Sequence, residues 1–440
     1  MGAGKSTIGA EVAQRLGRPF LDVDREIEST HGSIWELFAE QGESAFREIE
    51  ARFLREACDR REPAVVAVGA GAVETRELLT ELDALVVLLE VDVDTAWERV
   101  HGSRRPLAQD EAEFRRRYES RRPLYEQVAN ARAEGADGVV FAAAGIRFAS
   151  HREVRSDAVV ADERVAELHR IEAKHTVPPG EAAKSVAQAE RLWRALLLDR
   201  RSTLVAVGGG STTDLAGFVA ATYMRGVAWI PVPSTLVGQV DAAIGGKTGI
   251  DLPEAKNLVG AFHWPAETVI DTTLLETLPE EEWANGAAEV VKTGLLAGES
   301  LWELPAPEQV RRCAAFKAAV CLRDPFERGA RAQLNLGHTF AHALEAASGY
   351  TLSHGKAVGL GLTAACRVSG LEEEARLVEE LLRPEPVRVD RAAAWAALAR
   401  DKKSVAGRPQ LVLLEAPGKP RIGVEVDEEV LRAALDALIV

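Results

Sequence analysis

Residues 202–226, STLVAVGGGSTTDLAGFVAATYMRG, decide the fold of the larger part of this chain. An apolar run, a glycine triplet and then apolar residues at helical spacing describe a buried strand that turns sharply into a helix. Backbone N–H groups and the positive end of the helix dipole meet at such a turn, which suits the pyrophosphate of a dinucleotide. Taken alone, the pattern fits a tight structural turn equally well. Upstream, AVVADERVAEL adds another strand and helix. The alternation predicts a parallel sheet covered by helices, with its chemistry at the carboxyl edge. From about residue 274 onward helices dominate, through EEEWANGAAEVVKTGLLA, VRRCAAFKAAVCL, GHTFAHALEAAS and HGKAVGLGLTAACRV.

Groups able to do chemistry gather in that helical half. Glu289 and Lys292 lie three apart on one helix face, His338 and His342 four apart on another, and His354 opens a further helix. One carboxylate and two imidazoles with an open fourth position suit a catalytic zinc. Histidines are more often hydrogen-bonded core or surface residues than ligands, yet three of the nine here fall within GHTFAHALEAASGYTLSH. Spacing leaves a metal site and a structural cluster both open.

The opening segment, MGAGKSTIGAEVAQRL, places Gly4, Lys5 and Ser6 in the last three positions of the phosphate-loop pattern G-x-x-x-x-G-K-[ST]. The pattern's first glycine, and the apolar strand that normally leads into it, would fall before Met1. FLDVD then reads as a strand ending in Asp22 and Asp24, which address different ligands, or else cap the helix that follows. GESAFREIE puts Arg47 and Glu50 on one helix face, as binding groups or as a surface salt bridge. AVVAVGAGA and ALVVLLEVD read as further strands, and the Ala/Gly-rich stretch from about residue 130 to 157 as a junction, either a solvated linker or a pair of strands.

At 440 residues the chain is long enough for two or three domains, and 47% apolar residues supply their cores. A net charge of -15 argues against a nucleic-acid surface. The four cysteines, Cys58, Cys313, Cys321 and Cys366, are scattered without a C-x-x-C pair, so neither a disulfide framework nor a thiolate zinc site is indicated, and a reducing cytoplasm fits. No apolar run approaches the roughly 18 residues of a membrane span.

Within about residues 1–133, GAGKST, FLDVDREIE, FREIE, GAGAV, RRPL and RRPLYEQVA together resemble shikimate kinase. The resemblance implies a P-loop kinase-type parallel sheet with helices. Gly2, Ala3, Gly4, Lys5, Ser6 and Thr7 would hold ATP phosphates, with Arg105 closing over ATP from a lid and Ser6 and Asp22 at Mg²⁺. Asp24, Arg47, Gly69, Gly71 and Arg121 would grip shikimate, with Asp24 aligning the attacking hydroxyl. Ala70 stands inside the family's glycine triplet. With the first strand missing, the expectation is an impaired kinase half, and a docking module without turnover is the alternative.

After a junction at 134–157, GGGSTTDLAGFVAATYMRG, PSTLVGQVDAAIGGKTGI, KNLVGAF, NGAAEVVKTG, LNLGHTFAHALE, HGKAVGLG and DKK resemble 3-dehydroquinate synthase. The resemblance implies an α/β NAD-binding domain at 158–273 and a mostly helical metal- and substrate-binding domain at 274–440. Zinc, or cobalt, would be held by Glu289, His338 and His354. NAD would be held by Gly180, Glu181, Lys184, Gly210, Ser211, Thr212, Thr213, Asp214, Ser234, Thr235, Lys247, Lys256, Leu274, Leu275, Glu276 and Thr277. The substrate, a heptulosonate phosphate, would meet Arg225, Asp241, Lys247, Asn257, Lys292, Lys317, Arg331, Asn335, His342, Lys402 and Lys403, with NAD regenerated in each turnover. The expected assembly is a cytoplasmic homodimer joined through the synthase part, with no membrane or nucleic-acid partner. Departures are Pro179 ahead of Gly180, Asp324-Pro325 ahead of ERG, and a short region before the glycine turn. A metal-dependent polyol dehydrogenase and another sugar-phosphate cyclase are the alternatives.

Overall fold

The computed structural model describes residues 2–102, 110–253, 255–399 and 409–440. They divide into two compact units, residues 1–144 and 145–440. In the first, helix α1 (Lys5–Leu16) starts directly after Gly4. Strands β1 (Phe20–Asp22) and β2 (Val65–Ala67) pair in parallel, as do β3 (Val87–Leu89) and β4 (Ala131–Ala133). Among the described residues no ladder joins the two pairs. Helices α2 (Ile34–Cys58) and α3 (Glu111–Val128) supply Phe46, Leu54 and Val128 to a core shared with Val23, Ile27 and Val73.

The second unit opens with β5 (Ile146–Phe148). It then builds a parallel sheet from β6 (Ala158–Asp162), β7 (His175–Val177), β8 (Thr203–Gly208) and β9 (Ala228–Pro233), in spatial order β7, β6, β8, β9. Side chains of β8 alternate between faces. Leu204 and Ala206 pack with Leu215, Ala216 and Val219 of the helix that follows the glycine turn, residues Gly210–Thr222. Val205 and Val207 pack with Ala161, Val232 and Val269 on the other face. Burial on both faces explains why β8 reads as an unbroken apolar run. Strands β10 (Lys247–Leu252) and β11 (Ala255–Phe262) form an antiparallel hairpin, and β12 (Thr268–Ile270) pairs in parallel with β5.

Residues 134–157 differ from the expected junction. Helix Gly135–Ala144 packs in the first unit, where Arg15 Nη1 meets Asp137 Oδ1 at 2.5 Å, while β5 belongs to the second. Alanine favours helix, and one face (Ala136, Val140, Phe141, Ala144) is buried. Periodicity over so short a stretch does not distinguish this helix from a strand.

The helical half contains helices Glu280–Ala297, Ala306–Arg323, His338–Ala347 and His354–Val368, packed around Leu295, Phe340, Leu344, Val358 and Leu362. The two histidine-bearing helices run so close that a Cβ at Gly361 would overlap the carbonyl oxygen of Gly337, itself at φ 76°. An antiparallel hairpin, β13 (Leu411–Ala416) and β14 (Lys419–Val424), closes this half and was not expected from the sequence. Among the described residues no helix is long and apolar enough to cross a membrane.

Candidate active sites

In the second unit one cavity of about 1020 Å³ runs from the carboxyl ends of β6, β8 and β9 to the helical half. Gly209, Gly210, Ser211 and Thr212 of the glycine turn line one end, together with Gly180, Glu181, Lys184, Asp214, Ser234, Thr235, Lys256, Leu274 and Thr277. Lys184 is buried and donates to Asp214 Oδ2 at 2.8 Å and to Asn257 Oδ1 at 2.5 Å. Burial opposes the Lys184 charge, but Asp214 outweighs it and raises the ammonium above its ordinary value. Asn257, near the start of β11, is fixed from behind by its N–H to Asp251 Oδ1 at 2.7 Å. Lys256 Nζ meets Glu181 Oε1 at 3.5 Å. Residues scattered over the sequence thus form one polar wall beside the turn.

Three expected cofactor residues do not line the cavity. Thr213 and Leu275 are buried among neighbouring side chains, and Glu276 is exposed. Helical geometry turns adjacent residues to different sides, so a contiguous run cannot all face one ligand. Asp162 lines the cavity and was missed. It ends β6, next to the strand of the glycine turn, and its Oδ1 accepts from the N–H groups of Arg164 and Val165. An acid closing the apolar run AVVAD beside a glycine-turn strand was the available signal.

At the other end, Glu289, His338 and His354 present ligand atoms that all lie within 4.8 Å of one another. Glu289 Oε1 is 3.5 Å from His338 Nε2 and 3.2 Å from His354 Nε2. Both imidazoles are oriented from behind: His338 Nδ1 donates to the Leu336 carbonyl at 3.1 Å, and His354 Nδ1 to Glu345 Oε1 at 3.1 Å. Burial, reinforced by Lys292, holds His338 well below the usual imidazole range, so its Nε2 lone pair is available. Burial works against a charge on His354, yet its hydrogen bonds with Glu289 and Glu345 outweigh it and raise the ring to about 10. Positive charge is therefore favoured beside Glu289. The Glu289 carboxylate is 1% exposed, and Lys292 faces its Oε2 as an ion pair without an aligned hydrogen bond. One buried carboxylate and two Nε2 atoms converging on its Oε1 fit a zinc ion with a position left for substrate.

Between the two ends stand the cations. Lys247 is paired with Glu327, Lys317 Nζ meets Asp241 Oδ1 at 2.8 Å, and Lys292 Nζ lies 3.7 Å from the same oxygen. Arg331, 1% exposed, donates to the Pro325 carbonyl at 3.0 Å. Asn257, Asn335 and His342 complete the lining. Burial holds Lys247 below its ordinary value against the pull of Glu327. Glu327 and Glu345 were both missed: Glu327 sits within the altered DPFERG segment, and Glu345 follows His338 by seven residues on the same helix face. Arg225 is not brought to this cavity; it is exposed in the turn Tyr223–Arg225 at φ 68°. Lys402 and Lys403 lie outside the described residues.

Glu345 holds one ligand in place, so Glu345→Ala is expected to weaken zinc binding by about 10–100-fold, the usual cost of removing the partner behind a metal ligand. Glu345→Gln, whose amide oxygen still accepts from Nδ1, should recover most of it. Competition with a chromogenic chelator measures both; equal affinity in all three proteins would refute the positioning role.

In the first unit, Lys5 and Ser6 stand in the first turn of α1, and Ser6 Oγ donates to Asp22 Oδ2 at 2.5 Å. The other expected residues converge nearby. A Cβ on Gly69 would meet Asp24 Oδ1 at 3.0 Å, and one on Gly71 would overlap the Arg47 guanidinium. Arg47 Nη1 donates to Glu50 Oε2 at 2.7 Å, and buried Arg121 donates to Glu74 Oε1 at 2.6 Å. The Tyr125 hydroxyl fixes the Ala70 carbonyl at 2.8 Å. Gly2, Ala3 and Thr7 flank the loop and helix start, while Arg105 lies outside the described residues.

Residues 1–142 match the shikimate kinase family model, residues 174–285 that of the 3-dehydroquinate synthase N-terminal part and residues 286–404 that of its C-terminal part. The chain is 43% identical over 295 residues to 3-dehydroquinate synthase of Symbiobacterium thermophilum, covering 60% of this chain and 82% of the relative. To the enzyme of that name from Pseudomonas entomophila it is 39% identical over 329 residues, covering 66% and 90%. A solved structure of 2-epi-5-epi-valiolone synthase from Streptomyces hygroscopicus, with NAD+ and Zn2+ bound, has a TM-score of 0.58 at 25% identity, covering 67% of this chain and 91% of that one. The chain belongs to the 3-dehydroquinate synthase family, with a shikimate kinase domain fused ahead of it over residues 1–142.

Proposed function

We propose that the second unit converts 3-deoxy-D-arabino-heptulosonate 7-phosphate to 3-dehydroquinate with release of phosphate, and that the first unit phosphorylates shikimate with MgATP. The observation that carries the first reading is the Glu289, His338 and His354 triangle opening onto the same cavity as the glycine turn and the buried cations. NAD beside the turn would supply a hydride acceptor, and zinc, or cobalt, at the triangle a Lewis acid. Lys247, Lys317 and Arg331 are placed to bind the phosphate and carboxylate of the substrate, because guanidinium and ammonium donors in a sheltered cavity hold anions strongly. Asn257, Asn335 and His342 orient hydroxyls. Asp241, held below the usual carboxylate range because Lys317 and Lys292 outweigh its burial, keeps those ammonium groups aimed into the cavity.

In the first unit, Lys5 and Ser6 would take the ATP phosphates and Mg²⁺, with Asp24 next to the acceptor hydroxyl. A cytoplasmic location and a homodimer through the synthase part accompany this reading.

The test uses one preparation of the full chain. Heptulosonate phosphate with substoichiometric NAD is expected to give many product molecules per cofactor, and shikimate is expected to stimulate ADP formation from ATP. NADH accumulating in step with product would favour a polyol dehydrogenase, and a carbocycle other than dehydroquinate another cyclase. ADP formation indifferent to shikimate would refute the kinase reading alone.

A further inference from the structure

We infer that Glu74 is a built-in competitor for the carboxylate of the first unit's acceptor substrate, and so sets how tightly that substrate is held; the inference rests on the shikimate kinase reading above. Among the described residues, Arg47 and Arg121 bring guanidinium groups to this site, with side chains 11% and 5% exposed. Arg121 donates from Nε and Nη2 to Glu74 Oε1 at 3.1 and 2.6 Å. The other oxygen of the same carboxylate, Oε2, lies 3.9 Å from Arg47 Nε. One carboxylate thus faces both guanidinium groups, the arrangement an incoming carboxylate would adopt.

The fit is unequal. Arg47 Nε is buried and has no hydrogen-bond partner among the described residues, because Glu74 reaches Arg121 closely and Arg47 only at a distance. A substrate carboxylate seated between the two can satisfy both, so exchange is favourable once Glu74 has left. Glu74 is the carboxylate that faces both guanidinium groups and is exposed enough to leave. Glu50 is 1% exposed and bound to Arg47 Nη1, whereas the Glu74 side chain is 42% exposed on the short turn Ala72–Thr75. Glu43, on Arg47 Nη2 at 2.9 Å, occupies the outer edge.

A buried guanidinium without an anion is costly, so the site needs a carboxylate between turnovers. Glu74 supplies it, and every acidic ligand must displace it. The phosphorylated product carries the same carboxylate as the substrate, so the return of Glu74 also favours product release.

Calorimetric titration of shikimate into the full chain tests this, with synthase turnover of each preparation as a check on its integrity. Glu74→Gln is expected to bind shikimate about tenfold more tightly, since the competing charge-assisted bonds are weakened. Glu74→Asp, too short to reach both guanidinium groups, should also bind more tightly and keeps the test decisive if the glutamine variant does not fold. The methyl ester of shikimate, which has no carboxylate charge, should gain little from either change. Unchanged or weaker shikimate binding in both variants overturns the inference. If shikimate binds neither the unaltered chain nor the variants, the kinase reading falls and the inference with it.

Discussion

His354→Ala is expected to remove zinc and dehydroquinate formation together. His354 Nε2 is one of three donors, and its Nδ1 is held by Glu345, so the substitution removes a ligand already paid for in orientation. Losing a direct ligand should exceed the about 10–100-fold that losing its supporting partner costs. Elemental analysis of the purified variant should find well under one zinc per chain after dialysis that leaves the parent loaded. Dehydroquinate formation should fall in parallel, while shikimate-dependent ADP formation stays unchanged, because His354 belongs to the second unit. Full metal content and full rate in this variant would overturn the metal assignment.

Lys292→Met is expected to be the most destabilising single change at the site. Lys292 is 2% exposed and faces Glu289 Oε2, with Asp241 at 3.7 Å. Burial disfavours its charge, yet Glu289 and Asp241 outweigh that and raise the ammonium above its ordinary value. Methionine keeps the stem and leaves the buried Glu289 carboxylate without its ammonium partner, while Asp241 retains Lys317. Breaking a buried pair in this way costs about 3–5 kcal/mol. For a unit of this size that corresponds to a Tm lower by about 5–8 °C. Zinc neutralises part of the same charge, so the loss should be largest after chelation and smaller in the zinc-loaded protein. Differential scanning calorimetry of both forms measures it; equal Tm values for parent and variant in the chelated state would show that the pair contributes nothing.

Patterns local in sequence were legible. The β8 run, the glycine turn and the histidine spacing each follow from periodicity, and the family resemblance joined Glu289 to the two histidines across 65 residues of chain. Contacts made by tertiary packing were not legible. Lys184, Asp214 and Asn257 come from a loop, a helix and a hairpin strand, and nothing in their spacing announces that one ammonium holds the other two. Glu74 is hidden in the same way, since it meets Arg121 from 47 positions away. Arg225 shows the opposite failure: a residue carried over by motif stands on the exposed turn rather than in the cavity. The helix at Gly135–Ala144 was obscured by composition, because a short Ala/Gly-rich stretch has no distinguishing period.

Gly337 and Gly361 bring the helices of His338 and His354 together through backbone atoms. A spacing set by side chains can be widened or narrowed by exchanging one residue for another, as cores repeatedly tolerate. A spacing set by main chain against main chain has no such adjustment, because every L-residue larger than glycine moves it in the same direction. The separation of His338 and His354 is therefore a fixed dimension of this enzyme. Adaptation to a differently shaped substrate has to be written elsewhere, on the β10–β11 hairpin and around Glu327, where Lys247, Asn257 and Asn335 reach the cavity on adjustable side chains.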